Sequence, residues 1–520
     1  MQILHPIYSH NRERIAARAG RTLITYGRLC ADIDTMAQWL LDQGLLPGDR
    51  VTLHPNHLAN PSYWDWIAQL GAIRAGLVHS TGDIPAEVTA SGAIGPHAAA
   101  IGKVGKLAPH ADPRLKLAFA PASSAPLAQQ IQLKTAPREL AGLEAQSVRL
   151  LSTSGTTGTP KVVKWDAPLF AGRLEQVRET GDITPDTIIL TLLGLITTTG
   201  LRYPLAAWQI GATVLLPTMG EEQPNFPEIA GASTFLASSP FRIQELLSFV
   251  PGEWPGSDKR VIELFGGRVP PLLRKALLAK CCTSLRMSYG ATEVGRVAAG
   301  DAALVSRNPG AVGMTEPGVT VQIVDAEGIE RPSGEPGIVR LKSAFMCDGY
   351  LGLPPFPGQK APFRDGWFYP GDIGILYPDG LFAITGRSSE TINLAGAKLS
   401  PVLLEERIGK LPEVKDSCVV AMQLDHGDVL GVALVLQPGQ EISQIRAKIG
   451  AVLPPHISFV LFNAQSIPRN AMGRIPRQAV ALELTKRLQR KEATRQASLN
   501  TNNTDRMVAE EGLEPPTRGL

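Results

Sequence analysis

Between Thr25 and Gly44 the apolar positions Leu29, Ile33, Met36 and Leu40 recur at spacings of four, three and four, which predicts one helical face. Thr25 stands where an N-cap is needed, and Gly44 stands where the helix must stop. Pro47-Gly48 then predicts a turn and Arg50-Val51-Thr52-Leu53 a strand, followed by a second apolar helix from Tyr63 to Ala75 that ends at Gly76. Helix, strand and helix in that order point to an α/β layer architecture. From 80 to 145 the periodicity is weak, and no elements are assigned there.

Residues 187–217 are apolar and close on Gly211-Ala212-Thr213-Val214-Leu215-Leu216-Pro217, which reads as a buried strand. A helix is predicted from Phe241 to Phe249. Glu263-Leu264-Phe265-Gly266-Gly267 reads as a strand running into a glycine turn, with a helix from Pro271 to Lys280 after it. The alternation fits a mostly parallel sheet. From 311 to 385 the texture changes to short strand-like runs split by turns such as Glu316-Pro317-Gly318 and Pro378-Asp379-Gly380, which predicts a small β-rich subdomain. A new unit is expected near Gly386-Arg387, with strands at 417–423, 429–436 and 457–462 and a helix near 441–452. From about Thr485 the chain turns basic, then rich in Asn and Thr, without a hydrophobic period, so 485–520 is expected to be disordered.

Composition narrows the class. A chain of 520 residues is too long for one core and predicts two or more domains. A formal charge of +3 gives no nucleic-acid footprint. The five cysteines, Cys30, Cys281, Cys282, Cys347 and Cys418, lack metal-ligand spacing and read as reduced thiols of a cytoplasmic protein. The stretch Ile188 to Ile196 is too short to span a membrane, and Met1 to His5 shows no signal-peptide pattern, so a soluble protein is expected.

The densest chemistry lies in Leu151-Ser152-Thr153-Ser154-Gly155-Thr156-Thr157-Gly158-Thr159-Pro160-Lys161, where six hydroxyls and two glycines precede a lysine. Glycines let backbone N–H groups close on a ligand, hydroxyls donate to phosphate oxygens, and Lys161 adds a point charge. The run reads as a polyphosphate grip. It is not a P-loop, which needs four residues between its glycines and Lys-Ser/Thr directly after the second. Nor is Ser154 a hydrolase nucleophile, since no G-x-S-x-G surrounds it and all nine histidines lie before 111 or after 425.

This run, ending in Pro-Lys and Val162-Val163, resembles the phosphate-binding signature of the adenylate-forming, AMP-binding superfamily, which includes acyl- and aryl-CoA synthetases. Four further motifs follow in the family's order. Gly266-Gly267 precedes Tyr289-Gly290-Ala291-Thr292-Glu293, and Tyr369-Pro370-Gly371-Asp372 precedes Gly386-Arg387. The run Glu390 to Leu399, with Gly396 inside it, resembles the loop that lines a pantetheine tunnel. The resemblance covers roughly residues 20 to 480.

It implies a large N-terminal domain of α/β layers with a β-rich subdomain at 1–385, a hinge at 386–389 and a small, mobile α+β C-terminal domain at 390–484. It also implies ATP, Mg²⁺ and a thiol acceptor, either CoA or the phosphopantetheine of an acyl carrier protein. Thr153, Ser154, Gly155, Thr156, Thr157 and Gly158 would hold phosphates with Lys161. Tyr289 would stack on the purine, Thr292 would hold the α-phosphate, and Glu293 would bind the metal. Asp372 and Arg387 would take the ribose.

Departures from the family pattern matter as much. Where the family has Asn-x-x-Gly-Lys, this chain has Asn470-Ala471-Met472-Gly473-Arg474. Arg474 keeps the charge of the catalytic lysine but is planar and longer. Ser389 stands at the hinge where Asp or Lys is usual, and Val162 follows Lys161 where glycine is commoner. Two readings stay open: an active acid–thiol ligase, and a degenerate relative that binds nucleotide or acyl-adenylate but adenylates weakly. Residues 187–210 contain no Asp or Glu, which argues against an amino acid's ammonium group. Leu192, Leu193, Thr197, Thr198, Thr199 and Gly200 predict an apolar pocket for an aryl acid or a short-to-medium acyl chain. Arg202 is read as a surface residue, with a second acidic group of the substrate as the other option.

Overall fold

The computed structural model describes residues 3–490 except 56–59, 83, 86–87, 90–93, 95–96, 103–114, 120, 122, 137, 154–160, 181, 219–225, 251, 353–360, 395–396, 425–426, 455–456 and 470–474. The chain divides into two compact units, Met1–Ser388 and Ser389–Leu520.

In the first unit the helix Tyr26–Asp42 starts at Thr25, whose side chain accepts from the Arg28 N–H at 3.2 Å, and it buries Leu29, Ile33, Met36 and Leu40. Its neighbour Tyr63–Arg74 begins with a capping box, in which Ser62 and Asp65 satisfy each other's backbone N–H groups. Both helices belong to the largest apolar core. The strands Leu115–Ala118, His97–Gly102, Arg50–His54, Val78–Thr81 and Val148–Thr153 lie parallel in that order, and Lys161–Trp165 closes the edge antiparallel. Two of these strands fall in the stretch where periodicity assigns nothing. His97–Gly102 carries Ala98, Ala99 and Ala100, and alanine lacks the β-branched signal by which strands are read.

The larger sheet has a parallel centre: Ser284–Ala291, Val261–Phe265, Phe235–Ser238, Ile188–Thr191, Thr213–Leu216 and Ile15–Ala19. The β-rich stretch does not form a sheet of its own. The hairpin from Ser284–Ala291 to Gly295–Asp301 reverses direction, and Ala311–Thr315, Leu381–Arg387, Asp372–Leu376 and Gly337–Ser343 continue the same hydrogen-bonded ladder. Between two parallel strands lies the helix Thr198–Ile210, stopped by Gly211 at φ 94°. Its Trp208 is fully buried, donates to Ala16 O at 2.9 Å and meets Trp66 edge to face.

The second unit is α+β. Val414–Leu424 and Gly427–Leu436 pair antiparallel, and Phe459–Asn463 adds in parallel. The helices Pro401–Ile408 and Ile442–Val452 contribute to a core containing Leu404, Ile445 and Ile449. A further helix runs over 477–490 and packs Val480, Leu484 and Leu488 against Val420 and Phe462. Order therefore continues past Thr485, where disorder was expected to begin, because Leu484 and Leu488 share one face of this helix. The rest of that segment, 491–520, lies outside the described residues. All five cysteines are free and buried. Among the described residues no helix is long and apolar enough to cross a membrane.

Candidate nucleotide and acid site

Ser154, Gly155, Thr156, Thr157 and Gly158, expected to form a phosphate grip, lie outside the described residues, whereas the strands on either side are described. Thr153 pairs with Lys161 across the antiparallel ladder of Val148–Thr153 and Lys161–Trp165. Lys161 is thus the first residue of the strand that pairs back on Val148–Thr153. The Lys161 ammonium lies 5.0 Å from the centre of the Tyr350 ring. Burial lowers its pKa and the nearby Glu293 carboxylate opposes that shift, so the lysine is held partly desolvated beside an anion.

Glu293 is 7% exposed at the turn between Ser284–Ala291 and Gly295–Asp301. Its Oε1 accepts from the Tyr350 hydroxyl at 2.6 Å, and its backbone carbonyl accepts from Cys347 N–H at 2.8 Å. The Thr292 carbonyl accepts from Arg173 Nη2 at 3.3 Å, and Arg173 Nε donates to Phe345 O at 2.7 Å. A buried guanidinium thus braces the turn from the helix Ala167–Arg178.

Tyr289 lies on the same hairpin, four residues before Glu293. Its hydroxyl donates to Asp372 Oδ2 at 2.5 Å, and its ring meets Phe382 edge to face. Asp372 is 3% exposed, and its Oδ1 lies 3.1 Å from Arg387 Nε, the residue it faces across the strand pair. A carboxylate offers about four lone-pair sites, so Asp372 retains acceptor capacity with both oxygens engaged. The strand ladder shifts register between Tyr289 and Gly290, where a Cβ would lie 2.3 Å from Gly295 O. Gly290 thus permits the close approach that turns Tyr289 toward Asp372 and Glu293 toward Lys161. Gly266 follows Val261–Phe265 at φ 77°, a left-handed turn suited to glycine, and Gly267 packs near Pro240.

The structure thus joins Tyr289, Asp372 and Arg387 in one chain of contacts, and Lys161 and Glu293 in a second around Tyr350. The charge of Arg387 also acts on the Tyr350 phenol. Gly396 and Arg474 lie outside the described residues. Mg²⁺ is usually held by one or two carboxylates plus substrate phosphates, and a single buried carboxylate near Lys161 fits that donor set.

Arg202 corrects the expectation of a surface residue. It is 4% exposed, with Nη1 at 3.4 Å from Arg173 O and 3.5 Å from Gln176 Oε1. Burial pushes it down to about 10, still charged at neutral pH. An acidic group also approaches the apolar segment after all, from a neighbouring strand. Glu263, fully buried, accepts from Tyr203 Oη at 2.9 Å and from Ser288 Oγ, and lies 3.1 Å from Arg296 Nη1. Arg296 Nε is also 2.8 Å from Glu316 Oε1, a close ion pair without hydrogen-bond alignment. Glu263 is thus already engaged by partners within the protein. Sequence reasoning missed Tyr350, Arg173 and the Glu263–Arg296 pair. The signal for Glu263 is a lone charge inside the apolar run Val261–Phe265, and for Tyr350 it is an aromatic after Gly349 in a turn-rich stretch, whereas Arg173, with Glu175 close by, reads as an ordinary helix-surface charge.

A model of the AMP-binding enzyme family matches residues 8–351, and the chain belongs to that family. Among curated relatives, an oxalate–CoA ligase of Saccharomyces cerevisiae is 24% identical over 342 residues, 64% of this chain and 62% of the relative. A 3-hydroxybenzoate–CoA/4-hydroxybenzoate–CoA ligase of Thauera aromatica is 30% identical over 293 residues, 53% of each chain. Both matches thus span less than two thirds of the relative's length. The fold matches that of ATP-bound MatB from Rhodopseudomonas palustris at a TM-score of 0.75 and 21% identity, covering 93% of this chain and 99% of that one.

Proposed function

We propose that the chain is an ATP-dependent acid–thiol ligase. A substrate carboxylate oxygen attacks the α-phosphorus of ATP, pyrophosphate leaves, and an acyl-adenylate results. A thiol, from CoA or from the phosphopantetheine of a carrier protein, then attacks the acyl carbon, and AMP leaves. The observation that carries this reading is the joining of Asp372 and Arg387 to Tyr289, which lies on the hairpin whose turn holds Glu293 near Lys161. Membership of the AMP-binding family and the CoA-ligase names of its relatives support it.

In this reading Asp372 accepts from ribose hydroxyls and Arg387 holds its carboxylate in place. Tyr289 offers its ring to the purine, and Lys161 with the 154–158 loop holds phosphate oxygens. Thr292 holds the α-phosphate. Glu293 would hold Mg²⁺ together with the substrate phosphates, and the ion would supply charge neutralisation there. The work is positioning and electrostatics. Arg474 takes the place of the lysine that bridges carboxylate and α-phosphate, Ser389 is the hinge for the second half-reaction, and Gly396 lines the thiol's approach. The apolar segment around Leu192 and Leu193 favours an aryl acid or a short-to-medium acyl chain. Arg202, buried against Arg173 and Gln176, is not proposed as the partner of a second acidic group.

The test is carboxylate-dependent ATP–pyrophosphate exchange across aryl, fatty and amino acids, followed by thioester formation with CoA or carrier protein. Exchange with an aryl or fatty acid is expected. No exchange from a protein that binds ATP, with exchange gained by Arg474→Lys of roughly 10²–10³-fold, would sink the active-ligase reading.

A further inference from the structure

Tyr350 carries more contacts to the candidate site than a packing residue needs. It forms a bridge to Val163, two residues past Lys161, and the next residue's N–H donates to Val162 O at 2.8 Å. These backbone contacts fasten it to the strand that leaves the phosphate grip. Its ring packs edge to face on Phe363 and lies 5.0 Å from the Lys161 ammonium, within cation–π range. Its hydroxyl donates to Glu293 Oε1 at 2.6 Å. One side chain therefore touches both Lys161 and Glu293, and it comes from neither of their elements.

We propose that Tyr350 is a positioning residue for cation and nucleotide. Its hydroxyl fixes the Glu293 carboxylate by one oxygen and leaves Oε2 to the divalent cation, while its ring holds Lys161 toward the phosphates. The inference rests on the reading of Glu293 as the cation's ligand. The two halves of the side chain have separable jobs. The hydroxyl governs affinity for the cation, because a partner that orients a ligating carboxylate is worth 10–100-fold in metal affinity. The ring governs affinity for the nucleotide whether or not metal is present.

The experiment measures Mn²⁺ binding by electron paramagnetic resonance with α,β-methylene ATP present, and binding of that analogue without metal, for wild type, Tyr350→Phe, Tyr350→Leu and Glu293→Gln. Tyr350→Phe keeps the ring and its packing. It is expected to weaken Mn²⁺ roughly 10–100-fold and leave metal-free analogue binding unchanged. Tyr350→Leu is expected to weaken both. In exchange assays Tyr350→Phe should raise the half-saturating Mg²⁺ with the maximal rate recovered at excess Mg²⁺. Wild-type Mn²⁺ binding in Tyr350→Phe with weakened binding in Glu293→Gln would overturn the proposal and leave the Glu293 reading intact. Unchanged Mn²⁺ binding in both variants would overturn both. Equal metal-free analogue binding in Tyr350→Leu and wild type would overturn the role of the ring.

Discussion

His79 shows how much a single buried group depends on its neighbours. It is fully buried, and its Nδ1 lies 2.7 Å from Gln69 Nε2 and 3.3 Å from Arg149 Nη1. Both partners are donors, so Nδ1 is the acceptor and the ring proton belongs on Nε2. Burial, then the Arg149 charge, holds its pKa well below the usual 6.5. Above that value folded and unfolded chains are both neutral here. As pH falls below it, only the unfolded chain takes up the proton, so stability is lost at up to about 1.4 kcal/mol per pH unit. His79→Asn, which keeps an acceptor toward Gln69 and Arg149, should remove that dependence. Thermal unfolding midpoints of wild type should therefore fall further than those of the variant between pH 7 and pH 5, and parallel curves would refute the assignment. The histidine was visible in the sequence, but its environment was not, because Gln69 and Arg149 come from elements 10 and 70 residues away.

At the scale of elements, local rules read well wherever burial and propensity agree. The helix Pro271–Lys280 and the Thr25 cap are of this kind. The helix Thr198–Ile210 is not, because it carries a threonine run, Gly200 and an internal Pro204, each unfavourable in a helix interior. Burial of Leu201, Tyr203, Leu205 and Trp208 overrides those preferences. The hairpin of Tyr289 and Glu293 was legible as a motif but not as a bulged strand, since the register shift arises from pairing with Gly295–Asp301. Gly290→Ala tests that element. Its Cβ would meet backbone at 2.3 Å, so the hairpin must shift and carry Tyr289 and Glu293 with it. Exchange activity should fall on the order of 10²-fold, the usual result of misplacing a site by about 1 Å. Near-normal activity would show that the bulge does not set the site.

Over the whole molecule, the smaller unit has its own core and its own charged clamp. Arg477 Nη2 and Nε lie 2.9 Å from Glu405 Oε2 and 2.9 Å from Glu390 Oε2, respectively, and Nη1 donates to Val419 O at 3.0 Å. Arg477 lies just beyond Arg474 in sequence and ties the start of this unit, at Glu390, to the helix Pro401–Ile408, at Glu405. Arg477→Met leaves two partly buried carboxylates without their cation, at a cost of about 3 kcal/mol. Calorimetry should show the loss in one transition, that of the smaller unit, with the other unmoved. A shift of both would contradict separate cores. Order of motifs, helix caps, apolar faces and the α/β class were all written in the linear pattern, because each depends on residues within a few positions of one another. The continuous sheet, the buried state of Arg202 and Arg173, the pairing of Glu263 with Arg296 and the contact of Tyr350 with Glu293 were decided by packing. Those contacts join residues tens to hundreds of positions apart, and whether a charge ends in solvent or against a partner depends on which elements close over it.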